Sequence, residues 1–140
     1  MINETNPTPS FSIRRATDED IAKVLEIERQ SYPNPWTAEA FKQELEKPYS
    51  HFYVLTDDET DSIIAAYTVF WLMFEECHIL NVTVDLKWKG LGYATLLIRR
   101  VISEAVKKDA KKIFLEVRKS NEAAIQLYQK LGFFIDHIKK

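Results

Sequence analysis

Glycine is scarce in this chain of 140 residues, with three in all, and cysteine occurs once. A single cysteine, Cys77, excludes an internal disulfide framework and suits a reducing compartment; its plainest reading is a small buried hydrophobe. The formal charge is only −2. No global field therefore draws the chain to nucleic acid or to an anionic membrane, although a local basic patch stays open. The longest apolar run, 63–74, is too short to span a bilayer. The three histidines, His51, His78 and His137, are scattered without metal-ligand spacing, so no metal site is expected. No internal repeat, low-complexity tract or linker breaks the chain. The opening MINETNPTPS is polar and carries proline, which is not the make-up of a signal peptide. Residues 1–10 are expected to form a flexible leader and 11–140 a single domain. The cytoplasm is the default location. What is present suits a globular domain: 46% hydrophobic and 29% charged residues, enough to bury about two-thirds of the unfolded surface.

The periodicity changes twice along the chain. Phe11 to Ala16 is β-compatible. Thr17 precedes three acids, and Ile21, Val24, Leu25 and Ile27 or Glu28 follow at helical spacing, so 18–30 reads as an amphipathic helix. Tyr32-Pro33-Asn34-Pro35 ends it, because proline blocks continuation. Thr37 caps a second helix running to about Glu46, and Pro48 stops that one. From 51 the period becomes two. HFYVLT is a strand, DDETD a turn, and 62–73 a strand apolar enough to be covered on both faces. Glu75-Glu76 reads as the next turn and HILNVTV, 78–84, as a third strand. These connections are too short for helical crossovers, so the three strands form an antiparallel meander. Ala94, Leu97, Ile98, Val101, Ile102 and Ala105 then mark one stripe of a strong helix. KIFLEV, 112–117, is a strand, parallel to 78–84 across a right-handed crossover. Ser120 or Asn121 caps a last helix that Gly132 closes, and FFIDHI begins one more strand. The order β-α-α-β-β-β-α-β-α-β describes a mixed α/β sheet with helices on both faces.

Two of the three glycines stand in one stretch, KWKGLGYAT, between the meander and the central helix. A strand, a Gly-x-Gly loop and a helix N-terminus together gather free N–H groups at the positive end of a helix dipole. Gly90 and Gly92 would let backbone approach a phosphate, with Lys87 and Lys89 as added charge. A tight connection that needs only positive φ explains the glycines equally well. The string is neither a Walker loop nor a dinucleotide fingerprint, since Thr95 stands where the third glycine of the latter would be.

The element order, together with K-x-x-G-x-G opening the central helix, resembles the GCN5-related N-acetyltransferase (GNAT) family. LNVTVD at 80–85 occupies the place of that family's strand beside the pantetheine. LEVRKSNEAAIQLYQKLGF at 115–133 and ERQSYPNPWTAEAF at 28–41 are similar to its RimI branch, the ribosomal-protein-alanine N-acetyltransferases. The resemblance covers roughly residues 11–138. It implies acetyl-CoA as cosubstrate and direct transfer to an amine in a ternary complex. The implied acceptor is the N-terminal α-amino group of a ribosomal protein. It further implies that the backbone of Val82, Thr83 and Val84 runs along the cofactor and supplies donors to the oxyanion. Lys87, Lys89, Gly90, Leu91, Gly92, Tyr93 and Ala94 form the implied pyrophosphate loop. That loop is shorter than the family's, has Leu86 near the place of its usual proline, and has Lys87 for its usual Gln or Arg. The chain also stops before the family's last strand. A truncated form, an altered acceptor site or a partner chain are each consistent with that, including a dimer paired through the strand edge at 133–138.

Three residues carry the expected chemistry. Glu116 stands in an apolar strand, where a carboxylate needs partners or a function. It reads either as a solvated strand-end charge paired with Arg118 or, by the resemblance, as the base that takes a proton from the amine. Tyr128 shares a helix face with Ala124 and Asn121. It reads either as core packing or, by the resemblance, as the acid that protonates the departing CoA thiolate. Asn121 reads as a helix cap and, by the resemblance, as a cofactor contact. Cys77 has nothing nearby to activate it as a nucleophile. Acetylation of a lysine or a small-molecule amine remains an alternative, as does a non-catalytic acyl-CoA-binding or interaction domain.

Overall fold

The computed structural model describes residues 10–115, 117–118, 122–130, 132 and 138–139. The expected leader falls outside these residues, as do Glu116, Asn121 and most of the 133–138 edge.

Among the described residues, seven strands and four α-helices follow one another as β1 (Phe11–Arg15), α1 (Ile21–Ser31), α2 (Ala38–Glu46), β2 (Ser50–Asp57), β3 (Ile64–Met73), β4 (Glu76–Val84), α3 (Tyr93–Lys107), β5 (Lys112–Leu115), β6 (Val117–Arg118), α4 (Glu122–Lys130) and β7 (Ile138–Lys139). The acids after Thr17 form a short 3-10 turn, Asp18–Asp20, and the α-helix proper begins at Ile21. The Asp20 carboxylate accepts the Thr17 N–H at 2.7 Å and the Arg14 guanidinium at 2.8 Å, which draws the turn tight. Thr37 caps α2 by accepting the Ala40 N–H at 3.1 Å.

Five strands pair in the order β1-β2-β3-β4-β5. The first three pairings are antiparallel, as the short connections require for β2–β3 and β3–β4, and β4–β5 is parallel across the α3 crossover. The β3–β4 turn sits one residue earlier than the sequence suggests. Met73 pairs with Glu76, and Phe74 and Glu75 take φ of 51° and 62°. A two-residue hairpin turn with both φ positive matches strand twist, and it outweighs the preference of Phe74 for the strand.

Period-two alternation sends neighbouring β2 residues to opposite faces. Phe52 and Val54 pack with Val24 and Ile27 of α1 and Phe41 of α2. Tyr53 packs with Ile98 and Val101 of α3 and Tyr128 of α4. Leu55 packs with Leu97. Each face of the sheet therefore carries two helices. Residues Ile64 to Phe70 of β3 are all buried, which is why that strand shows no alternation.

One irregularity sets up the site. Val69 pairs with Asn81 but Phe70 pairs with Ile79, so Leu80 is an extra residue in β4. Such a bulge turns the strand's side chains over. Cys77 and Ile79 face α3, whereas Asn81 and Thr83 beyond the bulge face α1.

Candidate active site

The sheet splits beyond the bulge. Among the described residues, the parallel pairing of β4 with β5 runs to Ile79↔Leu115, and β6 pairs with β7. The far half of β4 thus flanks a cleft of about 310 Å³. Its walls are Ser31, Tyr32 and Pro33 from the end of α1; Val82, Thr83 and Val84 from β4; Trp88, Lys89, Gly90 and Gly92 from the connecting loop; Tyr93, Ala94 and Thr95 from α3; and Leu127 and Tyr128 from α4. The structure therefore brings most of the expected residues to one place. Lys87 and Leu91 do not line the cleft: the Lys87 N–H is taken by the Asp85 carboxylate at 3.1 Å, and Leu91 points outward, 55% exposed. Ser31, Tyr32, Pro33, Trp88, Thr95 and Leu127 are additions that sequence reasoning missed.

The loop geometry follows from local chemistry. Asp85 caps a 3-10 turn over Leu86–Trp88, and Trp88 is then set edge-on against Phe11, ring centroids 4.9 Å apart. That anchor ties the loop to the β1 edge, a role the indole in KWKG could have suggested. Gly90 and Gly92 both take positive φ, +84° and +82°, and Gly92 is the N-cap of α3. A Cβ built at either would meet nothing within 4 Å. Glycine is thus required by backbone conformation, and the space in front of both positions is open. The first turn of α3 directs N–H groups without intrahelical partners into the same region.

Tyr128 is 4% exposed. Burial, and after it the nearby Tyr32 phenol, push its pKa well above the ordinary tyrosine value, so it keeps its proton at neutral pH. Opposite it, the Tyr32 hydroxyl lies 2.7 Å from the Thr83 hydroxyl, which in turn donates to Asn81 Oδ1 at 2.6 Å. Asn81 Nδ2 donates to Glu28 Oε1 at 3.0 Å, and the Tyr67 phenol donates to the same oxygen at 2.6 Å. Burial first, then the Glu28 charge, holds the Tyr67 phenol far above its usual range. Cys77 lies away from the cleft, and burial pushes its thiol up to about 12, which removes it as a nucleophile. Among the described residues, no helix is long and apolar enough to cross a membrane.

Chemically, the cleft joins a loop with two positive-φ glycines and the N-terminus of α3 to the apolar side chains of Val82, Val84 and Leu127. A protonated phenol stands beside them. These features fit a long thiol ester ending in phosphates.

Comparison with known proteins agrees. The family model described as acetyltransferase (GNAT) family matches residues 21–133. A Bacillus subtilis protein with the provisional name ribosomal protein bS18-alanine N-acetyltransferase is 35% identical over 130 residues, 92% of this chain and 84% of that protein. The crystal structure of the ribosomal-protein-S18-alanine N-acetyltransferase from Escherichia coli superposes with a TM-score of 0.79 at 27% identity, covering 89% of this chain and 78% of the other. A PaiA N-acetyltransferase from Thermoplasma acidophilum, solved in complex with coenzyme A, shares the fold at TM-score 0.77 and 16% identity, covering 91% of each chain. With its fold, its glycine loop before α3 and a family match over residues 21–133, the chain belongs to the GNAT acetyltransferase family.

Proposed function

We propose that this acetyltransferase moves the acetyl group of acetyl-CoA onto the N-terminal α-amino group of a ribosomal protein beginning with alanine, of the bS18 kind. The observation that carries the reading is the cleft between α4 and the half of β4 that β5 does not cover among the described residues, joined to the 35% identity with a protein of that name.

In this reading the amides around Gly90, Gly92 and Tyr93 hold the pyrophosphate, where open space meets a helix N-terminus. Lys89, on the same wall, adds a point charge. Val82, Thr83 and Val84 offer backbone groups on the side of β4 that no strand covers among the described residues. When bound, acetyl-CoA supplies the activated acetyl group. The chain's own residues manage protons. An α-amino group, with pKa about 8, gives up its proton far more readily than a lysine at about 10.4. Glu116 is assigned that proton by the family resemblance. Tyr128 holds a proton in the cleft and is assigned to deliver it to the leaving sulfur. The proposed reaction belongs to the cytoplasm, where a ribosomal-protein substrate is made.

The test is a pair of peptides, one with a free N-terminal alanine and one with that terminus blocked, both carrying an internal lysine. Incubated with acetyl-CoA, only the free terminus should gain an acetyl group. Transfer to lysine would replace the acceptor assignment, and CoA binding without transfer to any amine would remove the catalytic one.

A further inference from the structure

The loop between β4 and α3 holds Gly90 and Gly92 within the four residues 89–92. Glycine backbone loses the most conformational freedom when it is ordered. A ligand that must itself order such a loop binds more weakly for doing so.

Two aromatic side chains bracket these four residues. Trp88 precedes Lys89 and ends the 3-10 turn that Asp85 caps. Tyr93 follows Gly92 and is the first residue of α3. Both rings rest on Phe11 of β1. The Phe11 centroid lies 4.9 Å from that of Trp88, with the planes at 64°, and 5.3 Å from that of Tyr93, with the planes at 46°. The Trp88 and Tyr93 rings are 6.5 Å apart, so the three close a triangle. One side chain from another strand thus pins both ends of the glycine loop.

Phe11 is itself well held. Its backbone pairs with Asp57 of β2, and its side chain packs with Ile13 against the buried Leu55, Ala65, Ala66 and Leu97. The root of the loop is fixed separately, by backbone hydrogen bonds: the Asp85 N–H donates to the Ala65 carbonyl at 2.8 Å and the Trp88 N–H to the Asp85 carbonyl at 2.8 Å. Trp88 and Tyr93 line the cleft and Phe11 does not, so Phe11 acts on the cleft through those two rings.

We propose that Phe11 is a positioning residue for the cofactor: by clamping Trp88 and Tyr93 it holds the backbone of 90–92 in the conformation that receives the pyrophosphate of acetyl-CoA. This rests on the assignment of that loop to the pyrophosphate above. The clamp orders residues 89–92 before the ligand arrives, so its removal acts on cofactor affinity and leaves the chemical step alone.

The test measures CoA affinity by calorimetry, Tm, and steady-state constants with acetyl-CoA and a peptide bearing a free N-terminal alanine. Phe11→Ala should weaken CoA binding about five- to tenfold, the size of two lost ring contacts, and raise the KM for acetyl-CoA in step. kcat and the peptide KM at saturating acetyl-CoA should not move. Phe11→Tyr keeps the ring and should bind CoA as the wild type does. Ile13→Ala removes neighbouring packing from the same face of β1, and should lower Tm with CoA affinity unchanged. In a Trp88→Ala background, Phe11→Ala should cost less than it does alone, because one of its two partners is gone. Wild-type CoA affinity in Phe11→Ala, an equal loss in Ile13→Ala, or full additivity with Trp88→Ala overturns the proposal. If Phe11→Ala does not fold, Phe11→Leu decides: it keeps apolar packing without a ring, and CoA affinity should fall about threefold. Gly90→Ala tells the two readings apart. If it leaves CoA affinity intact, the loop does not hold the pyrophosphate, and this inference falls with that reading. If it weakens CoA binding and the Phe11 variants do not, only this inference falls.

Discussion

Replacing each glycine by alanine separates a turn from a cradle. Gly90, Gly92 and Gly132 share two properties: φ is +84°, +82° and +97°, and a Cβ at each would meet nothing within 4 Å. The intrinsic cost of each substitution is therefore backbone strain alone, about 1–2 kcal/mol for an L-residue held at positive φ. For a domain of this size that lowers Tm by roughly 3–7 °C, and the three variants should fall together. Only Gly90 and Gly92 line the cleft, whereas Gly132 follows the end of α4. A pyrophosphate brought against the loop backbone would occupy the space into which their new Cβ atoms project. CoA affinity, measured by calorimetry, should then drop about tenfold or more in Gly90→Ala and Gly92→Ala, the equivalent of about 1.4 kcal/mol. Gly132→Ala should bind CoA as the wild type does. If all three variants bind CoA equally well at a temperature where all are folded, the loop is only a turn and the cradle assignment is wrong.

The remaining expectations concern protons. Glu116→Gln should lower kcat by about 10²–10⁴-fold, the range of general base catalysis, with CoA affinity intact; full activity would end the assignment. Tyr128→Phe should slow turnover while Tm stays close to wild type, since only a hydroxyl is removed. Activity that merely tracks a falling Tm would instead mark Tyr128 as core packing. Asp57 gives a pH signature away from the cleft. Its carboxylate accepts the Thr60 hydroxyl at 2.6 Å and the backbone N–H groups of Ile63, Thr60 and Ser62, which together hold its pKa down to about 2. Unfolded, the group titrates near 4, so between those values the unfolded chain binds more protons than the folded one. The stabilisation is complete above pH about 4 and is lost as pH falls toward about 2. Denaturation curves across that window should show a shallower pH slope for Asp57→Asn than for the wild type, and identical slopes would contradict this.

Much of the fold was legible because its signals are local. The stripe from Ala94 to Ala105, the prolines after Tyr32 and the short connections of the meander each constrain neighbours in sequence. The glycine pair announced positive φ, and both positions have it. The bulge at Leu80 was not legible in the strand's pattern. Period-two reading would place Asn81 and Thr83 on the same face as Cys77 and Ile79, and nothing in HILNVTV shows the reversal. The residues it redirects are the ones that meet Glu28 and Tyr32. Glu28 itself was visible as a stripe position of α1, but its partners Tyr67 and Asn81 lie far along the chain. The side chains that complete the cleft from α1 were hidden for the same reason: they are brought there by packing, not by spacing.

Acetyl transfer to a protein's N-terminal alanine can be observed on the product itself. The most direct measurement incubates the enzyme with carbon-13-labelled acetyl-CoA and ribosomal protein bS18 bearing a free N-terminal alanine, then locates the label by tandem mass spectrometry. Labelled acetyl is expected on the α-amino group of the first residue and nowhere else. Label on lysine side chains, or none on bS18 from protein that binds CoA, would contradict it.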